Sequence, residues 1–166
     1  MATVHIKGKP FHTNGNLPAK GSQAPNFVLV DRDLKDCSLS DFQGKRKLLY
    51  IVPSLDTPVC LTSTKKLEAA AQSLKNVAIL IISSDLPFAQ KRICSLEHLE
   101  AVKPLSMMRS KDFAHDYGVL LKDGPLEGIT ARAIVVLDEM NRVLYSELVS
   151  EVGNEPNYEA ALENLA

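Results

Sequence analysis

The sequence predicts an α/β fold in which a mixed central sheet is flanked by helices on both sides. Three observations predict it. Two apolar runs, "KLLYIVPS" and "NVAILIISSD", are unbroken and rich in Ile, Leu and Val, as strands covered on both faces are. Between them, "TPVCLTSTKKLEAAAQSLKN" places Leu67, Ala70, Ala71 and Leu74 at helical spacing. Strand, helix, strand in that order is a crossover, which makes the two strands parallel neighbours.

The remaining elements follow along the chain. The N-terminal segment reads as a β-hairpin, with "TVHIKGKPFHT" broken by the strong turn signal Asn14-Gly15. "APNFVLVDRD" supplies a short strand. Asn76 suits the end of the first helix. "LPFAQKRIC" and "SKDFAHDYG" are two short helical candidates joined by an irregular piece. "ARAIVVLDEMNRVLYSELVS" reads as two strands around a turn at Glu139 to Asn141. In "PNYEAALENLA", Pro156 fits a first helical turn, and Tyr158, Ala161, Leu162 and Leu165 form one apolar face. There is no repeat, low-complexity segment or linker, so residues 1–166 read as a single domain. The order of elements suggests a thioredoxin-like layout.

A formal charge of −1 offers no basic surface for nucleic acid or an anionic membrane. The tight basic cluster in "GKRKLLYIV" reads as a charged gatekeeper before a sticky strand. The opening residues lack the apolar core of a signal peptide or a membrane span. The expected setting is therefore the reducing cytoplasm, where permanent disulfides are rare. Three cysteines are present, Cys37, Cys60 and Cys94, with no CxxC pair and no zinc-type spacing. Cys94 and His98 fall four apart, with no further Cys or His near them, so no metal is expected there.

Cys60 is the informative one. Thr57 is a favoured N-cap and Pro58 a favoured N1 residue, which makes Cys60 N3. Its sulfur then lies among unpaired backbone N–H groups at the positive end of the helix dipole, which favours thiolate. A strongly acidified thiol needs about 3–4 kcal/mol of differential stabilisation. A helix end gives about 0.3–1 and rarely about 2. A cation or further hydrogen bonds must supply the rest, and local sequence does not say which. On that sequence alone, a reactive thiolate and a small buried apolar residue fit equally well.

Pro53-x3-Thr57-x2-Cys60 resembles the peroxidatic motif of peroxiredoxins. With Cys94 in "LPFAQKRIC" and the segment from "DGPLEGITAR" to the C-terminus, nearly the whole chain resembles the thiol peroxidase subfamily, of the atypical two-cysteine type. The resemblance implies that Arg132, at the head of a late strand, points at the sulfur of Cys60. It implies that Cys60 attacks a peroxide and becomes a sulfenic acid. Cys94 then resolves it as a Cys60–Cys94 disulfide, which thioredoxin reduces. Pro53 shields the sulfur, and Thr57 and Arg132 bind the peroxide oxygens. The resemblance implies no metal, haem or flavin, and often a homodimer. Closing the disulfide is expected to need local unwinding, because a whole strand separates the two cysteines. Cys37, in polar loop-like sequence, matches nothing catalytic. His5, His12 and His115 are expected at the surface or in packing.

The chain departs from the family pattern at three places: Ile93 where an aromatic is expected, His98 where glycine is expected, and Met108 where an aromatic is common. Met107 and Met108, being adaptable, suit a bulky alkyl hydroperoxide. Two other readings remain open here: a thiol–disulfide oxidoreductase, disfavoured by the missing CxxC, and a non-enzymatic peroxide sensor or redox-regulated binding module.

Overall fold

The computed structural model describes residues 1–166. In chain order its strands are β1 (Thr3–Ile6), β2 (Lys9–His12), β3 (Val28–Val30), β4 (Asp36–Ser38), β5 (Arg46–Ile51), β6 (Val77–Ser83), β7 (Lys103–Ser106), β8 (Ala133–Leu137) and β9 (Val143–Leu148). The helices are α1 (Pro58–Ser73), α2 (Pro87–Leu96), α3 (Asp112–Asp116) and α4 (Tyr158–Glu163). β1 and β2 form a separate hairpin; the other seven strands form one sheet in the order β4-β3-β7-β6-β5-β8-β9.

The two apolar runs make the middle of that sheet. β5 and β6 pair in parallel, with Leu48 opposite Ile79 and Tyr50 opposite Ile81. β8 pairs antiparallel to the other side of β5. The sheet is thus mixed, as its sequence pattern predicts. Alternate residues of a strand point to opposite faces, and the core divides accordingly. Leu49, Ile51, Leu80, Ile82 and Val135 pack with Phe27, Phe113 and Tyr117 on one face, which carries α3. Leu48, Tyr50, Ile79, Ile81 and Ile134 pack with Cys60, Leu67, Cys94 and Leu165 on the other, which carries α1, α2 and the C-terminal segment. The first face is locked by an aromatic trio: Phe113 stacks on Tyr117 at 4.3 Å, and Phe27 meets Phe113 edge-on at 5.4 Å.

Several details differ from expectation. The hairpin turns at Lys7-Gly8, both at positive φ, and not at Asn14-Gly15. Asn14 instead ties the segment after β2 to the loop before Thr130, its side-chain amide donating to the His115 carbonyl and its Oδ1 accepting from Leu120 N–H. Pro156 precedes α4, whose N-cap is Asn157. α1 ends at Ser73, and Asn76 takes the left-handed turn just beyond it at φ 58°.

Two strands lay in segments that read as loops. Cys37 sits in β4, and Lys103–Ser106 form β7 in the irregular piece. Pro104 disguises β7, because proline lacks the N–H that a ladder needs. The structure tolerates it because β3 meets β7 only at Val30 and Ser106. The basic cluster, whose Arg46 and Lys47 open β5, is not a free patch. Lys47 is fully buried, and its Nζ donates to Asn141 Oδ1 at 2.6 Å. Burial lowers its pKa, against the opposing pull of Asp138 and Glu139.

Candidate active site

The loop from Pro53 to Thr57 carries the chain out of the sheet and into α1. Thr57 has extended backbone angles and caps α1, its Oγ1 accepting from the Cys60 N–H at 3.4 Å. The same hydroxyl donates to the Ser54 carbonyl at 3.3 Å. Pro58 opens the helix, so Cys60 is its third residue, as the cap-and-proline pattern predicts. Cys60 is fully buried.

Arg132 stands one residue before β8, the strand that pairs with β5. The residue is only 3% exposed. Nε donates to the Val152 carbonyl at 2.9 Å. Nη1 donates to both Tyr50 Oη and Cys60 Sγ, each at 2.9 Å. A buried guanidinium needs a negative partner, and no carboxylate forms an ion pair with this one. Burial works against its charge, but Tyr50 and Cys60 together hold its pKa above the ordinary arginine range. Burial also pushes the Tyr50 phenol up, although Arg132 pulls the other way. The phenol and the sulfur are the two side-chain groups in contact with Nη1.

Arg132 and Thr57 both line a pocket of about 350 Å³. Pro53, Val59, Leu126, Ile129, Val152 and Ile6 form its apolar walls. Cys60 does not line the pocket; it is hydrogen-bonded to Thr57 and Arg132, which line it together with the polar residues Lys7, Ser54 and Glu151. Met107 and Met108 are elsewhere. Met107 is buried on the opposite face of the sheet, and Met108 is a partly exposed neighbour of Ser106. The expectation that they shape this pocket is therefore wrong; the hairpin and the Leu126–Ile129 loop do so.

Cys94 lies on α2, 2% exposed, in the same core cluster as Cys60. Burial raises its pKa, with Arg32 opposing and Glu68 adding to the rise. All three thiols are free. Cys37 belongs to the other cluster, across the sheet, and burial pushes its pKa up to about 11. Cys94 and His98 do not share a helix face, since α2 ends at Leu96 and His98 turns at φ 55°.

The Redoxin family model matches residues 19–162. The chain belongs to the redoxin family. A thiol peroxidase of Corynebacterium glutamicum is 46% identical over 165 residues, covering 99% of both chains. A peroxiredoxin-like protein from Aquifex aeolicus superposes with a TM-score of 0.94 at 38% identity, over 99% of this chain and 96% of that one. A thiol peroxidase from Chromobacterium violaceum gives 0.90 at 28% identity, over 97% and 93%. Within the redoxins this chain is a peroxiredoxin of the thiol peroxidase subfamily, a peroxide-reducing enzyme with a thioredoxin-like fold.

Sequence reasoning missed several groups around the thiol of this peroxiredoxin. Tyr50 stands alone in an aliphatic run, and nothing local tells that its hydroxyl meets Arg132. Ser54 and Asp85 hold the loop before Thr57, joined at 2.7 Å across 31 residues. The departure at His98 now has a structural meaning. The position takes the left-handed backbone that glycine adopts freely and histidine does not.

Proposed function

We propose that this peroxiredoxin reduces hydrogen peroxide and organic hydroperoxides through Cys60 and Cys94. The observation that carries the reading is the 2.9 Å contact from buried Arg132 Nη1 to Cys60 Sγ, with no carboxylate in ion-pair contact with that guanidinium. The guanidinium and the positive end of α1 both favour negative charge on that sulfur.

The thiolate of Cys60 attacks the terminal peroxide oxygen, and the O–O bond breaks. Sulfur is oxidised to the sulfenic state, and the leaving oxygen takes up a proton to depart as water or alcohol. Arg132 and Thr57, which face the pocket, bind the peroxide and stabilise charge moving onto the leaving oxygen. Pro53 and the apolar walls exclude water and accommodate an alkyl chain. The thiol of Cys94 then displaces hydroxide from sulfur. The S–O bond breaks, an S–S bond forms, and water leaves. Thioredoxin supplies two electrons and two protons to restore both thiols. Both cysteines are buried in helices of one core cluster, so this step calls for local unwinding of the first turn of α1, of α2, or of both.

The chain acts in this reading as a single domain in the reducing cytoplasm, forms a homodimer, and has no nucleic-acid or membrane partner. No helix is long and apolar enough to cross a membrane. Steady-state peroxide consumption with thioredoxin and its reductase tests the cycle. Cys60→Ser should abolish it. Cys94→Ser should leave one turnover and stop recycling by thioredoxin. Sustained turnover in Cys60→Ser protein would refute the assignment.

A further inference from the structure

Asp85 lies between the two cysteine segments and belongs to neither. It follows β6 and directly precedes Leu86, the N-cap of α2. Three donors converge on its carboxylate. Ser54 Oγ donates to Oδ1 at 2.7 Å; the Leu55 N–H and Ser83 Oγ donate to Oδ2 at 2.6 and 2.7 Å. Its own carbonyl accepts from Ser106 Oγ, and its N–H donates to Ser83 Oγ at 3.3 Å.

These bonds run in two directions. Toward Cys60, Ser54 is held by Asp85, the Ser54 carbonyl accepts from Thr57 Oγ1, and Thr57 caps the Cys60 N–H. Toward Cys94, Ser83 Oγ accepts from Gln90 Nε2 at 3.0 Å, and Gln90 lies on α2 four residues before Cys94. On the α2 side Gln90 Nε2 also donates to the Leu105 carbonyl at 3.0 Å, but Leu86 gives α2 no side-chain cap bond, and buried Gln90 Oε1 has no partner.

We propose that Asp85 is a positioning residue that latches the Pro53–Thr57 loop to the start of α2. The latch has two consequences, the second resting on the Cys60–Cys94 cycle proposed above. Closed, it fixes the Thr57 cap and so the setting of Cys60 against Arg132, which speeds attack on peroxide. Closed, it also restrains the unwinding that brings Cys94 to the sulfenic acid. Asp85 therefore sets the contest between disulfide formation and attack by a second peroxide, which would take Cys60 to sulfinic acid with release of another water or alcohol.

The test uses the full chain and hydrogen peroxide, with rapid quenching and peptide mass spectrometry. Asp85→Asn sets an amide N–H₂ against the converging donors and opens the latch. It should slow Cys60 oxidation about tenfold, as misplacement of a reacting group does. It should also speed passage of the sulfenic acid to disulfide about fivefold, the factor expected from losing one net hydrogen bond of the folded form. The sulfinic fraction at high peroxide should fall.

Ser54→Ala removes the bond to Asp85 together with the one Ser54 Oγ accepts from the Asp56 N–H at 3.1 Å, leaves the Leu55 and Ser83 bonds to Asp85 in place, and should move both rates in the same opposed directions; it decides the matter should Asp85→Asn not fold. A merely structural residue would slow both steps in proportion to a lowered melting temperature. That result, or unchanged rates, overturns the proposal. Absence of any Cys60–Cys94 peptide in the unsubstituted chain would sink the cycle and the second consequence with it. The effect on Cys60 oxidation would still be read independently, in Cys94→Ser protein.

Discussion

Arg132 Nη1 stands 2.9 Å from Cys60 Sγ, joining two residues that are 72 positions apart in the chain. The contact exists because β8 lies directly beside β5, while α1 leaves the loop that follows β5. Sheet order thus brings the charge at the head of one strand to the first turn of a helix after its neighbour. Replacing Arg132 by Met keeps most of the stem volume and removes the charge. The expected loss in kcat/KM for peroxide is about 10²–10³-fold, the range for deleting one preorganised donor. Lys at this position should recover little, since it cannot contact Val152, Tyr50 and Cys60 at once with fork geometry. Stopped-flow peroxide consumption measures both.

Glu68 anchors α1 to the segment between α2 and β7. It is nearly buried, and its oxygens accept from the Glu100, Ala101 and Val102 N–H groups at 2.8–3.0 Å. Burial raises its pKa, but these bonds outweigh burial and leave it below the ordinary glutamate value. A carboxylate with a depressed folded-state pKa contributes stability above its unfolded value, and that contribution disappears as pH falls through the folded one. Glu68→Gln should therefore cost about 1–3 kcal/mol at neutral pH. It should also reduce the loss of stability on acidification below about pH 4.3. Denaturant unfolding across that range checks both.

His98 holds a backbone conformation at φ 55° that disfavours a side chain. The left-handed region costs an L-residue about 1–2 kcal/mol, and glycine gives back part of that gain in unfolded-state entropy. His98→Gly should raise stability by about 0.5–1 kcal/mol, read as a higher melting temperature.

The sequence made much of this legible, for identifiable reasons. β5, α1 and β6 declare themselves because each satisfies one strong local rule: a buried apolar run, a cap followed by proline, and a helical apolar stripe. Cys60 at the third helical position follows from that cap alone. Arg132 did not; charge at a strand head is equally compatible with solvent, and only the family resemblance singled it out. Tyr50, Ser54 and Asp85 were invisible, because their roles come from partners 31 to 82 residues away. β4 and β7 were hidden by short length and by Pro104, since tertiary pairing rather than propensity makes them strands. Met107 looked like a substrate contact because methionine is adaptable, but strand parity sends it to the opposite face.

The central claim is that Cys60 is the sulfur that meets peroxide and Cys94 the one that closes the cycle. Peptide mass spectrometry after one equivalent of peroxide, without reductant, tests it most directly. The account predicts a single cross-linked peptide joining Cys60 to Cys94, with Cys37 still a free thiol behind the sheet. A Cys60 that stays reduced, or a bond from Cys60 to Cys37, would contradict it.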